Sequence, residues 1–275
     1  MNRTHKVVDI VTDPTQVDAL IAWLCTVGFQ AFEETQNGVK AYIAKDDFDE
    51  SALQQALAFL AADEYELKMQ DIEARNWNEE WEASWENVEI DDFCQIIPSF
   101  RSPRSGFTYS ITVDPKMAFG TGHHETTRSM IRLIKGLELE AKELLDMGCG
   151  TGILGILASK KGAKKVWAID IDPWSVENTA QNLKLNEVEN IEVSEGVAKD
   201  IPERSFDFIF ANINKNVLLE DIPIYARHLK KDGQLLLSGF YTRDEEEITI
   251  LSEQSGLKFS RRFVENDWVA ASYIK

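Results

Sequence analysis

Residues 144–152 read Leu-Leu-Asp-Met-Gly-Cys-Gly-Thr-Gly, a short apolar run that ends in an acid and opens into alternating glycines. Such a run is typical of a buried strand, and the glycines allow a tight turn into a following helix. Backbone amides in a turn of this kind can approach a ligand closely. The stretch therefore predicts a strand, a glycine turn and a helix that together bind a nucleoside.

A second acidic strand end supports this interpretation. The predicted strand 165–170 ends at Asp170, about twenty residues beyond Gly148. A carboxylate at this point of a βαβ unit accepts hydrogen bonds from both ribose hydroxyls of a bound nucleotide. We therefore expect Asp170 to bind a ribose.

Two classes of cofactor, nicotinamide dinucleotides and S-adenosylmethionine, bind to this arrangement of strand, glycine turn and second acidic strand end. The run Gly150-Thr-Gly-Ile-Leu-Gly155 matches the dinucleotide pattern G-x-G-x-x-G, but its first glycine comes too late after Asp146 to form the turn that leaves the strand. The alternative register starts at Asp146 and uses the glycines at 148, 150 and 152, which places a carboxylate at the lip of the pocket. This acid suits the ammonium and sulfonium of S-adenosylmethionine and would repel a pyrophosphate. The second register favours S-adenosylmethionine as the cofactor.

The rest of this half of the chain alternates predicted strands and helices. This alternation is typical of an α/β protein with a Rossmann-like methyltransferase sheet. Two final strand-like runs predict a C-terminal antiparallel hairpin that adds one antiparallel strand at the edge of the sheet. The predicted helices cover 128–134, 153–161, 173–185, 216–229 and 244–255, and the further strands cover 191–195, 206–212, 234–238, 257–264 and 269–274.

Asn212 ends the predicted strand 206–212, at the same edge of the sheet as Asp146 and Asp170. Its side-chain oxygen can accept a hydrogen bond from an amine and leave the nitrogen lone pair aimed at a methyl group. This placement makes Asn212 the candidate catalytic residue. Alternatively, Asn212 caps the helix that follows, because Asn favours turns and helix starts.

A glycine-containing loop precedes the first helix of this domain. Residues 119–127 read Phe-Gly-Thr-Gly-His-His-Glu-Thr-Thr, and the glycines indicate a flexible loop that can fold over a pocket. The His-His-Glu run suggests a metal, but no further cluster of Cys or His completes a site, so we predict none. Glu125 or Thr126 is also expected to help cap the helix.

These motifs, in this order, resemble the ribosomal protein L11 methyltransferase family, known as PrmA. The resemblance rests on the loop 119–127, the motif 146–152, Asp170-Ile171-Asp172 and Ala211-Asn212-Ile213. The loop is the specific part, because the glycine motif fits most methyltransferases of this fold. Some members carry Thr-His-Pro where this chain has His-His-Glu at 123–125.

The resemblance implies a class I S-adenosylmethionine-dependent protein N-methyltransferase. Its expected substrate is the large-subunit ribosomal protein L11, modified on lysine side chains and on the N-terminal amine. Thr127, Gly148, Asp170 and Asn212 match the family's cofactor contacts, and Gly150 is expected to line the same site.

The first part of the chain predicts a separate small domain. Its pattern follows the order βαββαβ, with a hairpin turn at Asn37-Gly38, which is the order of a ferredoxin-like α+β domain. It carries no catalytic motif, so we expect it to recognise the substrate, as the resemblance also implies. We place this domain at residues 1–73, a linker helix at 74–93 and the methyltransferase domain at 94–275.

The linker helix is predicted from three tryptophans. Trp77, Trp81 and Trp85 recur at i, i+4 and i+8 and therefore share one helix face. We interpret this stripe as a packing face that docks the linker onto a domain. Stacking on nucleic-acid bases is disfavoured by the glutamates around it.

Acidic side chains dominate the charge and concentrate near the linker. The formal net charge is −18 over 275 residues, and residues 61–100 contain twelve acidic and two basic side chains. Such a surface attracts a basic ribosomal protein and repels nucleic acid, so we expect no direct nucleic-acid contact. The three cysteines are scattered, and neither a signal-type run nor a membrane span is visible. We expect a cytoplasmic protein that acts as a monomer.

Two other functions stay open at this point. An Asn at the end of this strand also suits methylation of adenine or of a small-molecule amine, although the sequence offers no basic groove for nucleic acid. The chain could instead be a non-catalytic factor that binds a ribosomal protein. Binding of the partner with no change in its mass would favour that factor.

Overall fold

The structure, a computed structural model, describes residues 5–35, 37–58, 60–61, 65–72, 85–114 and 119–275. The chain divides into two compact units, residues 1–84 and 85–275. Within the described ranges, no helix is long and apolar enough to cross a membrane.

The N-terminal unit consists of an antiparallel sheet and two helices. Its elements are β1 (His5–Thr12), α1 (Val17–Thr26), β2 (Ala31–Thr35), β3 (Gly38–Ala44), α2 (Glu50–Leu57) and β4 (Tyr65–Ile72). They follow the order βαββαβ, and the strands lie in the order β2-β3-β1-β4. Val8 and Ile10 alternate along β1 and share one core with Leu20, Leu24 and Leu53 from the two helices.

The C-terminal unit contains a seven-stranded mixed sheet. Its strands are β8 (Glu143–Met147), β9 (Lys165–Asp170), β10 (Ile191–Glu195), β11 (Phe206–Asn212), β12 (Leu229–Tyr241), β13 (Lys258–Glu265) and β14 (Trp268–Ile274). Its helices are α3 (Glu125–Lys135), α4 (Ile153–Lys160), α5 (Pro173–Leu185), α6 (Lys215–His228) and α7 (Glu245–Gln254). The order is β10-β9-β8-β11-β12-β14-β13, and the first five strands are parallel.

The central strands are buried on both faces, which explains why they read as continuous apolar runs. Leu144 and Leu145 are adjacent in β8 but belong to different core clusters, as do Phe208 and Ile209 in β11. Side chains of α3, α4 and α5 contribute to the first cluster, and side chains of α6 and α7 contribute to the second. The sheet therefore lies between two helical layers.

The C-terminal hairpin differs from the sequence-based expectation. The antiparallel strand β14 lies between β12 and β13, one place inside the edge, and the edge strand β13 runs parallel to β12. The burial of the two strands shows why: five of the seven residues of β14, Val269 to Tyr273, are buried, while β13 is mostly exposed. The more apolar strand takes the inner position because it buries more surface there.

A three-stranded sheet also falls outside the sequence predictions. It consists of β5 (Val88–Ile90), β6 (Cys94–Pro98) and β7 (Tyr109–Val113), in that order. Residues 88–90 belong to the predicted linker helix 74–93 but form a strand, because β5 pairs with β6 and buries Ile90 in the core. Trp77 and Trp81, which carry the rest of that prediction, lie outside the described residues.

Asp146 is buried beneath the glycine turn, whereas the sequence analysis predicts it at the lip of a pocket. Its side chain is 1% exposed, and Oδ2 accepts a hydrogen bond from the Gly155 N–H of α4 at 2.9 Å. The expectation was wrong because β8 extends to Met147, so that Asp146 is still a strand residue facing the α4 layer. Burial, together with the neighbouring Asp170 carboxylate, raises the pKa of Asp146 to about 7.

We expect Asp146→Asn to change how stability depends on pH. The pKa of Asp146 is raised from 3.8 to about 7 in the folded protein, so the folded state holds this proton more tightly than the unfolded chain. Its contribution to stability is present at low pH and is lost as the pH rises from about 4 to about 7. Relative to wild type, the variant should gain on the order of 2 kcal/mol in free energy of unfolding over this window, measured by urea denaturation.

Asp207→Asn is a control of opposite sign. Burial alone would raise the pKa of Asp207, but the hydrogen bond from Lys230 Nζ at 2.8 Å holds the pKa below its ordinary value. This variant should be less stable than wild type at neutral pH, and the deficit should shrink as the pH falls below about 4, because the folded pKa lies below the ordinary value. Parallel stability curves for wild type and Asp146→Asn would contradict the expected titration of Asp146.

Candidate functional site

A cavity of about 750 Å³ lies at the edge of the seven-stranded sheet where the parallel strands end. The segments after β8, β9, β10 and β11 build it, because the carboxyl ends of parallel strands meet at one edge. Its volume suits a small-molecule ligand. The residues that line it include Met147, Gly148, Gly150, Asp170, Ile171, Gly196, Ala198 and Asn212.

The glycine turn after β8 forms one wall of this cavity. Gly148 and Gly150 have φ angles of 68° and 56°, in the left-handed region that favours glycine. A Cβ at Gly148 would lie 2.2 Å from Ile213 Cγ2, and one at Gly150 would lie 2.3 Å from the Phe119 carbonyl oxygen. Both positions therefore need glycine, and the turn presents backbone to the cavity.

Asp170 brings a buried carboxylate to the cavity, where it lines the wall at 9% exposure. Its Oδ2 accepts a hydrogen bond from the Gly150 N–H at 2.8 Å, and its Oδ1 accepts one from the Asp172 N–H at 3.0 Å. Each carboxylate oxygen has further acceptor capacity, so both oxygens can also receive hydroxyl groups of a ligand. Ribose binding at this carboxylate stays a prediction.

Asn212 lines the cavity with an unusual hydrogen-bonding state. Its Nδ2 lies 3.5 Å from Thr127 Oγ1, which can accept a hydrogen bond. Its Oδ1 is buried and has no hydrogen-bond donor among the residues that the structure describes. Buried polar atoms are nearly always paired, so this oxygen is a candidate acceptor for a ligand N–H.

The alternative role for Asn212, capping the next helix, is filled by another residue. Asn214 is the N-cap of α6, and its Oδ1 accepts a hydrogen bond from the Val217 N–H at 3.2 Å. Asn212 precedes it by two residues and remains in β11. The cap therefore leaves the Asn212 side chain available to the cavity.

Thr127 occupies a supporting position. It is 1% exposed in α3 and contacts Asn212, but it is not among the residues that line the cavity, whereas its neighbour Thr126 is. Its hydroxyl can fix which face of the Asn212 amide turns toward the cavity. A direct contact between Thr127 and a cofactor stays a prediction.

An aromatic wall, formed by Phe119, His124, Trp268 and Tyr241, was missed by the sequence analysis. The His124 ring centroid lies 5.5 Å from that of Phe119 and 4.8 Å from that of Trp268, which in turn lies 3.9 Å from Tyr241. Phe119, His124 and Trp268 line the cavity. The sequence predicts only that the loop 119–127 can fold over a pocket, because the pairing of His124 with Trp268 forms when α3 meets the C-terminal hairpin.

Two arginines hold α3 against that hairpin. Glu265 Oε1 accepts a hydrogen bond from Arg128 Nη2 at 2.6 Å, and Oε2 accepts one from Arg132 Nη1 at 2.6 Å. Burial would raise the pKa of Glu265, but the two guanidinium groups outweigh it and lower the pKa. This ion-pair cluster fixes the helix that carries Thr127 and His124.

The His-His-Glu run serves packing and capping contacts. His124 is the N-cap of α3, and its Nδ1 accepts a hydrogen bond from the Thr126 N–H at 3.2 Å. The ring of His123 packs edge-on against Trp85, and burial lowers the pKa of His123. Glu125 accepts a hydrogen bond from Asn266 at 3.0 Å. Among the described residues, no group of three or more His, Cys, Asp or Glu side chains could hold a metal ion.

Acidic side chains of α6 also line the cavity. Glu220 and Asp221 line it, and the Tyr225 hydroxyl donates a hydrogen bond to Asp221 Oδ2 at 3.0 Å. Burial raises the pKa of Asp221. The i, i+4 spacing of Asp221 and Tyr225 is a sequence signal for this contact. These acids favour a cationic ligand.

Known proteins resemble this chain over nearly its whole length. The sequence profile described as "Ribosomal protein L11 methyltransferase (PrmA)" matches residues 18–275. A protein named ribosomal protein L11 methyltransferase from Phocaeicola vulgatus is 42% identical over 261 residues, which cover 94% of this chain and 93% of that protein. A relative of the same name from Bacteroides fragilis is 40% identical over 275 residues, covering 98% and 96%.

A solved structure supports the fold. The crystal structure of ribosomal protein L11 methylase from Lactobacillus delbrueckii subsp. bulgaricus matches with a TM-score of 0.64 and 28% identity, covering 69% of this chain and 98% of that chain. The predicted α/β methyltransferase fold is thus confirmed, as is the resemblance drawn from the motifs. The chain belongs to the ribosomal protein L11 methyltransferase family.

Proposed function

We propose that this chain transfers methyl groups from S-adenosylmethionine to amines of ribosomal protein L11, on lysine side chains and on the N-terminal amine. The observation that carries this proposal is the unpaired Oδ1 of Asn212 in the wall of the cavity. A substrate amine supplies the N–H that this oxygen lacks. The names of the relatives, which are ribosomal protein L11 methyltransferases, support L11 as the substrate.

The residues of the cavity fit the proposed cofactor. The Asp170 carboxylate suits the ribose hydroxyls, and the open backbone at Gly148 and Gly150 suits a closely packed ligand. Acidic Glu220 and Asp221 suit the net positive charge around the sulfonium. When bound, S-adenosylmethionine supplies a methyl group that its sulfonium has already activated.

In this mechanism the protein mainly positions the amine. Asn212 Oδ1 accepts an N–H from the neutral amine, which orients the nitrogen lone pair away from the amide. Thr127 Oγ1, 3.5 Å from Asn212 Nδ2, favours this orientation of the amide. The wall of Phe119, His124 and Trp268 reduces contact with water, which disfavours the protonated amine that cannot react.

The remaining parts of the chain have roles that follow from their topology and charge. The N-terminal unit, with its βαββαβ order, acts as a ferredoxin-like substrate-recognition domain. The twelve acidic side chains of residues 61–100 attract a basic ribosomal protein and disfavour nucleic acid. The enzyme acts as a cytoplasmic monomer built from the units 1–84 and 85–275.

Asp170→Ala should weaken cofactor binding, because it removes the acceptor for the ribose hydroxyls. We expect the Kd for S-adenosylmethionine to rise by about 10- to 100-fold, measured by isothermal titration calorimetry. Asp172→Ala is the matched control, since Asp172 caps α5 through Trp174 and Ser175. Cofactor affinity should be retained in Asp172→Ala. Equal affinities in wild type and Asp170→Ala would remove Asp170 from the site.

Asn212→Ala should reduce turnover by about 100-fold, because the amine loses the group that orients it. Its thermal stability should change little, since Oδ1 has no donor among the described residues. Asp172→Ala is the control, because Asp172 is the N-cap of α5 and does not line the cavity; it should lose about 1 kcal/mol of stability through the lost cap while keeping its turnover. Similar turnover in both variants would argue against a catalytic role for Asn212.

Intact-mass spectrometry of purified L11 tests the whole proposal. Incubation with the enzyme and S-adenosylmethionine should add one or more methyl masses, and these should be absent with Asp170→Ala. Unchanged L11 mass despite cofactor binding would point to another amine substrate. Unchanged mass together with L11 binding would instead indicate a binding factor.

A further inference from the structure

Helix α5 carries a row of buried asparagines. Asn178 and Asn182 lie within α5, and Asn186 is its C-cap. The three recur at i, i+4 and i+8 and are 2%, 0% and 8% exposed. Asparagine is a poor helix former, and its amide is costly to bury unless it is hydrogen-bonded. The row therefore needs partners outside the helix.

Its partners are backbone groups on or just after β7. Asn186 Oδ1 accepts a hydrogen bond from the Thr112 N–H at 2.9 Å, and its Nδ2 donates to the Thr112 carbonyl at 2.6 Å. Asn178 Nδ2 donates to the Asp114 carbonyl at 3.3 Å. The asparagine amides thus pair with this backbone as a neighbouring strand would.

Asn182 differs from its two neighbours because it links two separate segments. Its Oδ1 accepts a hydrogen bond from the Asp114 N–H at 2.9 Å. Its Nδ2 donates to the Thr151 carbonyl at 2.8 Å, within the glycine turn, and also to Asn178 Oδ1 at 3.2 Å. One buried amide therefore joins the end of β7 to the turn that lines the cavity.

Thr151 is hydrogen-bonded to the aromatic wall through its other polar groups. Its N–H donates to the Phe119 carbonyl at 3.0 Å, and its Oγ1 donates to the Gly120 carbonyl at 2.7 Å. Thr151 is thus linked directly to Phe119 and Gly120, and through Asn182 to Asp114. Phe119 lines the cavity, and Thr151 follows Gly150, which also lines it.

We propose that Asn182 is a positioning residue that holds the end of β7 and the glycine turn in register with each other. Without it, the Thr151 carbonyl and the Asp114 N–H lose a buried partner, and the glycine turn can shift relative to the end of β7. Cofactor affinity then falls although Asn182 itself does not line the cavity. This inference rests on the proposed cofactor only for that last consequence.

Three variants separate this role from general stability. Asn182→Leu removes the hydrogen bonds to Asp114, Thr151 and Asn178, and Asn182→Asp keeps an acceptor for the Asp114 N–H but removes the donor to Thr151 and Asn178. Asn186→Leu is the matched control, because Asn186, the buried C-cap of the same helix, bonds Thr112 and the Asn182 carbonyl but not the glycine turn. Thermal unfolding gives the stability of each variant.

Site-resolved amide hydrogen exchange of the cofactor-free full chain is the first readout. Asn182→Leu should speed exchange at both Asp114 and Thr151, Asn182→Asp at Thr151 with less effect at Asp114, and Asn186→Leu at Thr112 without changing Thr151. Unchanged exchange at Thr151 in both Asn182 variants would overturn the inference. This readout does not depend on the identity of the cofactor.

Calorimetric titration with S-adenosylmethionine is the second readout. At similar losses of melting temperature, Asn182→Leu should raise the Kd by about tenfold and Asn186→Leu by less than about twofold. Equal increases in the two variants would reduce Asn182 to a structural residue and overturn the inference. If wild type fails to bind S-adenosylmethionine, the proposed function fails, and the exchange readout still decides the inference.

Discussion

Close backbone approach at the glycine turn constrains the whole site. An added Cβ would meet Ile213 at Gly148 and the Phe119 carbonyl at Gly150, at distances too short for any side chain. Ile213 follows Asn212, and Phe119 belongs to the aromatic wall. The absence of two side chains thus lets the acceptor and the wall pack directly against the turn. A larger residue at either glycine would push these groups apart.

Buried carboxylates beside the turn carry an electrostatic cost. Asp146 and Asp170 each accept a backbone N–H, yet burial and the charge of Asp170 raise the pKa of Asp146 to about 7. A cationic ligand in the cavity would lower this cost, because positive charge favours both ionised carboxylates. The arrangement therefore trades stability of the ligand-free protein for complementarity to a cation, which is consistent with the proposed cofactor.

Local sequence patterns predict most of the sheet but not all of its order. β8, β9 and β11 are predictable because each is an apolar run buried on both faces that ends in a polar residue or its turn. The position of β14 depends on which hairpin strand buries more apolar surface, and this comparison needs the assembled sheet. The strands β5 to β7 are short and gain their stability from contacts with a distant helix, so their own residues give little signal.

The same distinction applies to the site. Asp170 and Asn212 are predictable, because strand ends in a parallel sheet converge whatever the details of packing. The aromatic wall and the asparagine row need contacts between residues more than 60 positions apart, such as Asn182 with Asp114 or His124 with Trp268. The predicted position of Asp146 is wrong for a local reason. β8 extends one residue further, to Met147, and Asp146 therefore lies under the turn and out of the cavity.

The unpaired oxygen of Asn212 costs stability in folding and is explained by the binding of a ligand. A buried acceptor without a donor costs about 1–3 kcal/mol, so packing alone would favour an apolar residue at this position. Asn214 already caps α6, which removes the usual structural reason for an asparagine here. The Nδ2 contact to Thr127 is long, at 3.5 Å, and contributes little stability in return. The cost is offset only when a donor enters the cavity, and an amine N–H is a donor that the acidic and aromatic walls around it can accommodate.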